Sequence, residues 1–445
     1  MDQQSSAFRT DQTLAPKAAA RLDAFRDFLI QCREQLGIPI GFTLWDGTNV
    51  PDNLSPNALR IVIADEGAVA ALLRSPNAET LGNLVCAKRI DWRGGTLFDI
   101  AALRPRVRTS QFVKHVDKKL VLRLLRKFLF VPAGGPWPLK PQRAAPSDGD
   151  AAANRRNVSY HYDLSNAFYA FWLDREMVYS CGYAHDWTDG LDQMQQNKLE
   201  MICRKLHLKP GERLLDVGCG WGALLIYAAR HYGVTGYGVT LSEQQRAHCQ
   251  ARIQALGLEG QVTVELKDYT MIEGEFDKAA SIGAHEHVGL KNNPRYYQTV
   301  HKALRPGGLF LHHAITTRAR PVGKKRPRRD FNLLTKYIFP GGELDTIGDT
   351  VRNLEIFGFE VHDVEGWREH YQLTCRHWHD RLLARYGEAC AEVGEAKTRL
   401  WLIYLASCSI AFARNTALIY QTVASKRQRG TAGLPPTRAG LYAER

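Results

Sequence analysis

Five apolar-leaning runs in the second half of the chain, Arg213 to Val217, Thr235 to Val239, Val262 to Leu266, Phe276 to Ile282 and Leu309 to Ile315, alternate with stretches of helical character. Short strands rich in apolar residues are buried on both faces, so this alternation predicts an α/β fold with a doubly wound parallel sheet. The first hundred residues carry a different pattern. Leu22, Phe25, Phe28, Leu29, Cys32 and Leu36 recur at helical spacing, Leu59-Arg60-Ile61-Val62-Ile63 alternates as a strand does, and Lys88 to Ile100 reads as strands around Gly94-Gly95. Together they predict a smaller α+β amino-terminal domain. Between Pro132 and Ala153 the chain turns to Pro, Gly, Ala and Ser, a composition that cannot build a core. The expected organisation is therefore a first domain over 1–131, a linker over 132–153, a second domain over 154–426 and a flexible Arg-, Gly- and Pro-rich tail over 427–445.

Two apolar segments bear on membranes. Leu400 to Ala413, bounded by Arg399 and Arg414, is shorter than the roughly 20 residues a spanning helix needs and reads as a buried helix. Within Phe112 to Phe130, the cations Lys119, Arg123, Arg126 and Lys127 share one helical stripe. Leu120, Val121, Leu124, Leu125, Phe128 and Leu129 occupy the opposite arc. That pattern suits a helix lying in a bilayer interface, and it equally suits an amphipathic helix packed on a domain core. A second basic run, Lys324-Lys325-Arg326-Pro327-Arg328-Arg329, adds to the lipid-surface reading.

Composition narrows the partners. A formal net charge of +13 favours anionic surfaces, and with no nucleic-acid module in the sequence the expected surface is phospholipid. Nine cysteines without a CxxC pair argue for a reducing compartment and against structural zinc, and Met1 to Pro16 lacks the apolar core of a secretory signal. The histidines of His285-Glu286-His287, His312-His313 and His377-Trp378-His379 invite a metal. HExxH spacing is missing, however, and neighbouring strand residues face opposite ways, so no metal is expected.

The candidate chemistry begins at Asp216-Val217-Gly218-Cys219-Gly220-Trp221-Gly222, directly after the apolar Leu214-Leu215. A strand that ends in a glycine-rich turn and feeds a helix lets a small molecule touch backbone. The dinucleotide fingerprint wants glycines at first, third and sixth positions and a carboxylate about 20 residues on. Here the glycines fall at 218, 220 and 222, and the next strand ends in Thr240-Leu241-Ser242. This spacing favours S-adenosylmethionine. Gln245, one turn into the following helix, is placed to reach a ribose hydroxyl in place of the missing carboxylate. Asp268-Tyr269, at the end of the third strand, is placed to bond and stack on the adenine.

Asn157 to Tyr169 (NVSYHYDLSNAFY), Met177-Val178-Tyr179-Ser180-Cys181, the glycine turn, Gly238-Val239-Thr240-Leu241-Ser242 and Ile338-Phe339-Pro340-Gly341-Gly342 occur in this order. Together they resemble the cyclopropane-fatty-acyl-phospholipid synthase family, from about Asn157 to Lys426. The amino-terminal domain more loosely resembles the lipid-binding domain of some members. The resemblance implies a class I methyltransferase sheet of Rossmann-like form. It also implies transfer of a methyl(ene) group from S-adenosylmethionine to the cis double bond of an unsaturated phospholipid acyl chain, with bicarbonate as the base. Tyr179, Ser180, Gly218, Gly220, Thr240, Leu241, Gln245 and Ile282 would line the cofactor site together with Asp216. Cys181, Glu286, His313, Ile315 and Tyr371 match the positions around the base. An anion beside a carboxylate requires one of them to carry a proton, so Glu286 is expected to have a raised pKa or to hydrogen-bond through His313 or Tyr371.

The aromatic segment Tyr160, Tyr162, Phe168, Tyr169, Phe171, Trp172, Tyr179 and Tyr183 would suit a cationic intermediate, and suits core packing as well. Peripheral association at the cytoplasmic face of the membrane, no nucleic acid, and a homodimer as one admissible assembly complete the expectation. His285 and His312 depart from the family pattern, which leaves ring closure and methyl branching both open. A soluble amine N-methyltransferase and a non-enzymatic lipid-binding protein stand as rivals. The anion set argues against the first and the intact glycine turn against the second.

Overall fold

The structure, a computed structural model, describes residues 15–103, 117–135, 137–139, 164–319, 337–339 and 342–443. The motif over Asn157 to Asp163, with Tyr160 and Tyr162, lies outside these residues. So do the basic run at Lys324, Phe112 to Val116, Pro340-Gly341 and most of the expected linker. The chain divides into two compact units, Met1–Lys140 with Glu395–Ile403, and Pro141–Gly394 with Tyr404–Arg445.

In the first unit, helix α1 (Pro16–Leu36) precedes strands β1 (Gly41–Thr43), β2 (Asn49–Val50) and β3 (Arg60–Ile63). Next in the chain are helices α2 (Glu66–Arg74) and α3 (Ala78–Cys86), strand β4 (Ile90–Arg93), and helices α4 (Leu97–Ala102) and α5 (Lys118–Phe128). The sheet order is β2-β1-β3-β4, with β1 and β3 parallel and the outer pairs antiparallel. Lys88 to Ile100 departs from its sequence reading: only Ile90–Arg93 is strand, and past Gly94-Gly95 the chain turns into α4. Its cause is local. Thr96 accepts from the Asp99 N–H while the Asp99 carboxylate accepts from the Thr96 N–H, a capping box that starts a helix at a cost to extended backbone.

Helix α5 splits its apolar arc. Leu124 and Phe128 are buried in the core with Phe25, Leu29 and Leu84, and Phe128 stands edge-on to Trp45. Leu122, Leu125, Leu129 and Phe130 remain exposed, Phe130 at 90%. The packing alternative thus holds for one strip of the helix, and the neighbouring strip stays bare.

The second unit opens with α6 (Asn166–Ala170) and α7 (Leu191–Lys205). Next come β5 (Arg213–Val217), α8 (Ala223–Tyr232), β6 (Thr235–Thr240), α9 (Glu243–Ala255), β7 (Val262–Leu266), β8 (Phe276–Ile282), α10 (Asn293–Ala303) and β9 (Leu304–Thr317). It closes with α11 (Ile347–Ile356), β10 (Phe359–Gly366), α12 (Arg368–Ala384), α13 (Tyr386–Val393), the part of α14 (Glu395–Ala413) from Tyr404 onward, β11 (Ala417–Lys426) and α15 (Ala439–Tyr442), the residues Glu395–Ile403 of α14 being assigned to the first unit.

Seven strands form one sheet in the order β10-β11-β9-β8-β5-β6-β7. The five expected strands are mutually parallel, while β11 runs antiparallel to both β9 and β10. The expectation of a parallel sheet is therefore extended by an antiparallel pair that polar residues concealed. Within β11, Tyr420, Gln421 and Thr422 interrupt the apolar alternation. Both faces of the sheet are covered, as the pleat requires: Leu214, Leu311 and Val423 enter one core cluster with Ile202 and Leu225, and Leu215, Phe310 and Ala424 enter the other with Tyr296 and Val300. The tail expected to be flexible carries α15, where Leu441 is buried, Arg204 donates to the Leu441 carbonyl at 3.1 Å and Arg438 pairs with Asp363 at 2.9 Å.

Candidate active site

Ligands of an open α/β sheet gather beyond the carboxyl ends of its strands, where neighbouring strands send their connections to opposite faces. Here β5 lies between β6 and β8, and a cavity of about 150 Å³ opens at that edge. All eleven expected cofactor residues line it: Tyr179, Ser180, Asp216, Gly218, Gly220, Thr240, Leu241, Gln245, Asp268, Tyr269 and Ile282. The turn that shapes it depends on glycine. Gly218 has φ of 78° and a Cβ there would meet the Ala284 methyl at 2.6 Å, whereas a Cβ on Gly220, at φ 55°, would meet nothing within 4 Å because it faces open space.

Polar groups around the cavity are held but not exhausted. Thr240 donates to Gln245 Oε1 at 2.7 Å, which leaves the Gln245 amide NH₂ as its remaining donor. Asp268 Oδ1 accepts from the Thr270 N–H and hydroxyl, and Asp268 Oδ2 is buried without a partner among the described residues. Asp216 Oδ1 is likewise buried and unpartnered. Burial pushes the Asp216 carboxyl up to about 7, with the Lys198 charge opposing the shift. Lys198 itself donates to Ser180 Oγ at 3.1 Å, and burial brings its ammonium down to about 8 against the attraction of Asp174, Cys181 and Asp216.

Lys198 was missed in the sequence reading, yet its signal is there. It falls on the buried face of α7 with Met194 and Ile202, four residues to either side, and Lys205 continues the same face. A lysine at a core position of an amphipathic helix marks a charge that the interior has a use for.

A second cavity, about 110 Å³, is lined by Glu286, Ile315, Tyr371, Trp378, Tyr404 and Phe412 among mostly apolar neighbours. Tyr179 joins the two: its ring lines the first cavity, its hydroxyl donates to Tyr404 at 3.3 Å, and its centroid is 5.2 Å from Trp378. Trp172 backs this wall, 5.2 Å from Tyr179 and 5.6 Å from Trp378, and with Phe168 and Tyr169 it is fully buried.

Of the five residues expected around a base, Glu286, Ile315 and Tyr371 line the second cavity. Cys181 and His313 do not; both are buried against Trp367, with Cys181 Sγ 3.8 Å from its carbonyl and the His313 ring 5.1 Å from its indole. Glu286 sits on a single 3₁₀ turn (His285–His287) just past β8, and Glu286 Oε1 accepts the Ile315 N–H at 2.6 Å. Glu286 Oε2 is buried without a partner among the described residues, and burial pushes the carboxyl up to about 7. The raised pKa is thus present, while the hydrogen bond comes from backbone and not from His313 or Tyr371. Burial also raises the Tyr371 hydroxyl well above its ordinary value, with Cys181 and Glu286 among the neighbours that add to the shift. The Cys181 thiol is raised too, chiefly by burial, which makes it a poor nucleophile.

Of the histidine pairs, His312-His313 lies on β9 and separates as strand geometry requires, whereas His285–His287 forms the 3₁₀ turn and His377 and His379 lie on α12. His312 turns to Tyr296, 3.1 Å from its hydroxyl, and His285 bonds Asn293 at 3.0 Å; His313 faces the other side of the sheet and bonds Gln421 at 3.0 Å. No group of three or more metal-ligating side chains occurs among the described residues.

Comparison with known proteins gives the family and agrees with the fold. The sequence model of the family described as Mycolic acid cyclopropane synthetase matches residues 150–422. A probable fatty acid methyltransferase of Pseudomonas putida is 35% identical over 415 residues, 92% of this chain and 98% of that protein. The cyclopropane-fatty-acyl-phospholipid synthase of Escherichia coli is 39% identical over 269 residues, 60% of this chain and 66% of that one. Among solved structures, the cyclopropane synthase MmaA2 from Mycobacterium tuberculosis superposes with a TM-score of 0.59 at 31% identity, covering 61% of this chain and 98% of its own. A mycolic acid cyclopropane synthase, CmaA1, complexed with SAH and CTAB gives a TM-score of 0.58 at 31% identity, over 61% and 98%. With the glycine turn, the matching residues and the shared sheet together, the chain belongs to the mycolic acid cyclopropane synthetase family and is an S-adenosylmethionine-dependent methyltransferase.

Proposed function

We propose that the protein adds a methylene bridge across the cis double bond of an unsaturated phospholipid acyl chain, with a bicarbonate ion as base. The observation that carries this reading is the shared wall of Tyr179, Trp378 and Tyr404, which sets an apolar cavity directly against the cofactor cavity with Glu286 at its rim. The cofactor supplies an electrophilic methyl on a sulfonium, and bicarbonate supplies the base that accepts the proton lost from the added carbon as the ring closes.

The chain's own residues fit both groups. Asp216 Oδ1 and Asp268 Oδ2, buried without partners, offer acceptors to the amino groups of a nucleoside amino acid, and the Gln245 NH₂ offers a donor to a ribose hydroxyl. Toward an oxyanion, Glu286 Oε2 is buried without a partner among the described residues, with the Tyr371 hydroxyl on the same cavity; His313 Nε2, likewise unpartnered among them, lies off that cavity. A Glu286 carboxyl whose pKa is about 7 can keep its proton and so stand beside an anion without repulsion. Tyr179, Trp378 and Tyr404 present ring faces that stabilise a carbocation on the acyl chain and exclude water. Holding the alkene in line with the methyl removes several kcal/mol of barrier, which matters for so weak a nucleophile.

Access to lipid would come from α5, where Leu122, Leu125, Leu129 and Phe130 are exposed alongside Lys119, Arg123, Arg126 and Lys127. No helix among the described residues is long and apolar enough to cross a membrane. Docking on the cytoplasmic face of an anionic bilayer is therefore proposed, with each cation worth about 1 kcal/mol near the surface.

The test supplies purified protein with S-adenosylmethionine and vesicles of unsaturated phospholipid. The expected product is about 14 mass units heavier per modified chain, and turnover falls when bicarbonate is stripped from the buffer. Label moving only to amine acceptors would refute the lipid assignment, and a rate indifferent to bicarbonate would refute the base. Replacing Lys119, Arg123, Arg126 and Lys127 by Gln is expected to weaken vesicle binding and flatten its salt dependence.

A further inference from the structure

His313 is anchored from the side away from its unpartnered nitrogen. Its Nδ1 lies 3.0 Å from Gln421 Nε2, and the other end of the same amide, Gln421 Oε1, lies 2.9 Å from the Lys205 ammonium. Lys205 has a side chain only 1% exposed. It pairs with Glu365, with Asp363 at 3.6 Å, and stands 5.3 Å over the Trp367 ring whose edge meets His313. All three polar side chains in this row are buried, and Gln421 is wholly so.

Only one assignment of hydrogens satisfies the row. An ammonium has donors and no acceptor, so the amide must present its oxygen to Lys205. Its NH₂ then faces His313 and donates, which requires Nδ1 to be the lone-pair nitrogen. The ring proton is left on Nε2, the buried atom with no partner among the described residues.

We propose that Lys205 and Gln421 are positioning residues that lock His313 as a neutral imidazole with its proton on Nε2, which leaves that N–H as its available donor. The use of that donor rests on the base assignment above; the lock itself does not. In the ionised or flipped alternatives, Nδ1–H would oppose an N–H of the amide, and the buried row would hold two donors facing each other. Neutrality is consistent with burial, which lowers the His313 pKa well below its ordinary value, aided by the charges of Lys198 and Lys205. Such a ring gives an anion a fixed donor without competing for the proton the anion is to accept.

The experiment reads the tautomer in resting protein, with no lipid or bicarbonate added, by ¹⁵N NMR of protein labelled at histidine. The His313 signals are assigned by their loss in His313→Gln. The native chain is expected to show Nε2–H with Nδ1 unprotonated. Gln421→Glu replaces the donor by a near-isosteric acceptor and is expected to move a proton to Nδ1. Lys205→Met frees the amide to turn and is expected to give a mixture of tautomers. Binding of S-adenosylmethionine within about twofold of native certifies folding, and turnover of Gln421→Glu should fall on the order of tenfold or more. An Nδ1–H signature in the native chain, or an unchanged Nε2–H signature in either variant, overturns the proposal. Since no anion is present in this readout, failure of the bicarbonate assignment leaves it intact.

Discussion

The two cavities of the carboxyl-terminal unit are made by different means. The cofactor cavity is shaped largely by backbone: the turn after β5, the ends of β6 and β8, and the residues just past β7 bring Gly218, Gly220, Thr240, Ile282 and Asp268 to one edge. Each contributor lies at the end of a strand, so the sheet positions it automatically. The second cavity is assembled from side chains on elements with no common register: the 3₁₀ turn with Glu286, β9 with Ile315, α12 with Tyr371 and Trp378, and α14 with Tyr404 and Phe412. A site of the first kind tolerates side-chain change where backbone does the holding. One of the second kind depends on each group having its own support.

The largest expected effect sharpens that contrast at Glu286. Glu286→Gln keeps an acceptor for the Ile315 N–H but cannot ionise, and turnover is expected to fall by about 10² or more with S-adenosylmethionine affinity unchanged. Equal turnover would remove Glu286 from the chemistry. Asp216→Asn should do the reverse, weakening cofactor binding by roughly tenfold, or about 1.4 kcal/mol, in calorimetry. Unaltered affinity would remove Asp216 from cofactor binding and leave that cavity to its backbone alone. A smaller effect is expected from Ala411→Phe, which fills part of the apolar cavity. The KM for lipid should rise several-fold while cofactor affinity stays constant, and a parallel loss of both would mean the cavities are not separable.

The remaining effect concerns stability and not function. Burial raises the Glu286 carboxyl from 4.5 to about 7, so between those values the folded chain binds more protons than the unfolded one. Stability from this group is therefore lost as pH rises through that window. Glu286→Gln should gain stability relative to the native chain between about pH 5 and about pH 8, by on the order of 1–3 kcal/mol in denaturant titrations. A difference that does not vary with pH would contradict the desolvated carboxyl.

The contrast also explains what could be read in advance. The five parallel strands are legible because short apolar runs leave few alternatives, and the glycine turn with Asp268-Tyr269 because they sit at strand ends, while Tyr179, Ser180 and Ile282 come through the family resemblance. Glu286, Ile315 and Tyr371 were reached through family resemblance and not through spacing. Nothing local to Tyr404, Trp378 or Gln421 distinguishes them from ordinary core residues; their meaning comes from neighbours far away in sequence. Strands β10 and β11 escaped because Glu360, Asp363 and Glu365 give the first a charged face and Gln421 and Thr422 give the second a polar centre. Leu97–Ala102 reads as strand next to Gly94-Gly95, and the Thr96 cap that makes it helix is a single short-range signal in so short a segment.

The position of β11 carries a consequence for how the enzyme comes into being. It slots between β10 and β9, and the strand that must receive it, with His313, leaves the ribosome 108 residues before Gln421 does. During synthesis the nucleotide-gripping half of the sheet can close early, while β9 waits with an open edge. The parallel strands can thus pair with one another first, and the sheet is completed only when its last strand is threaded home.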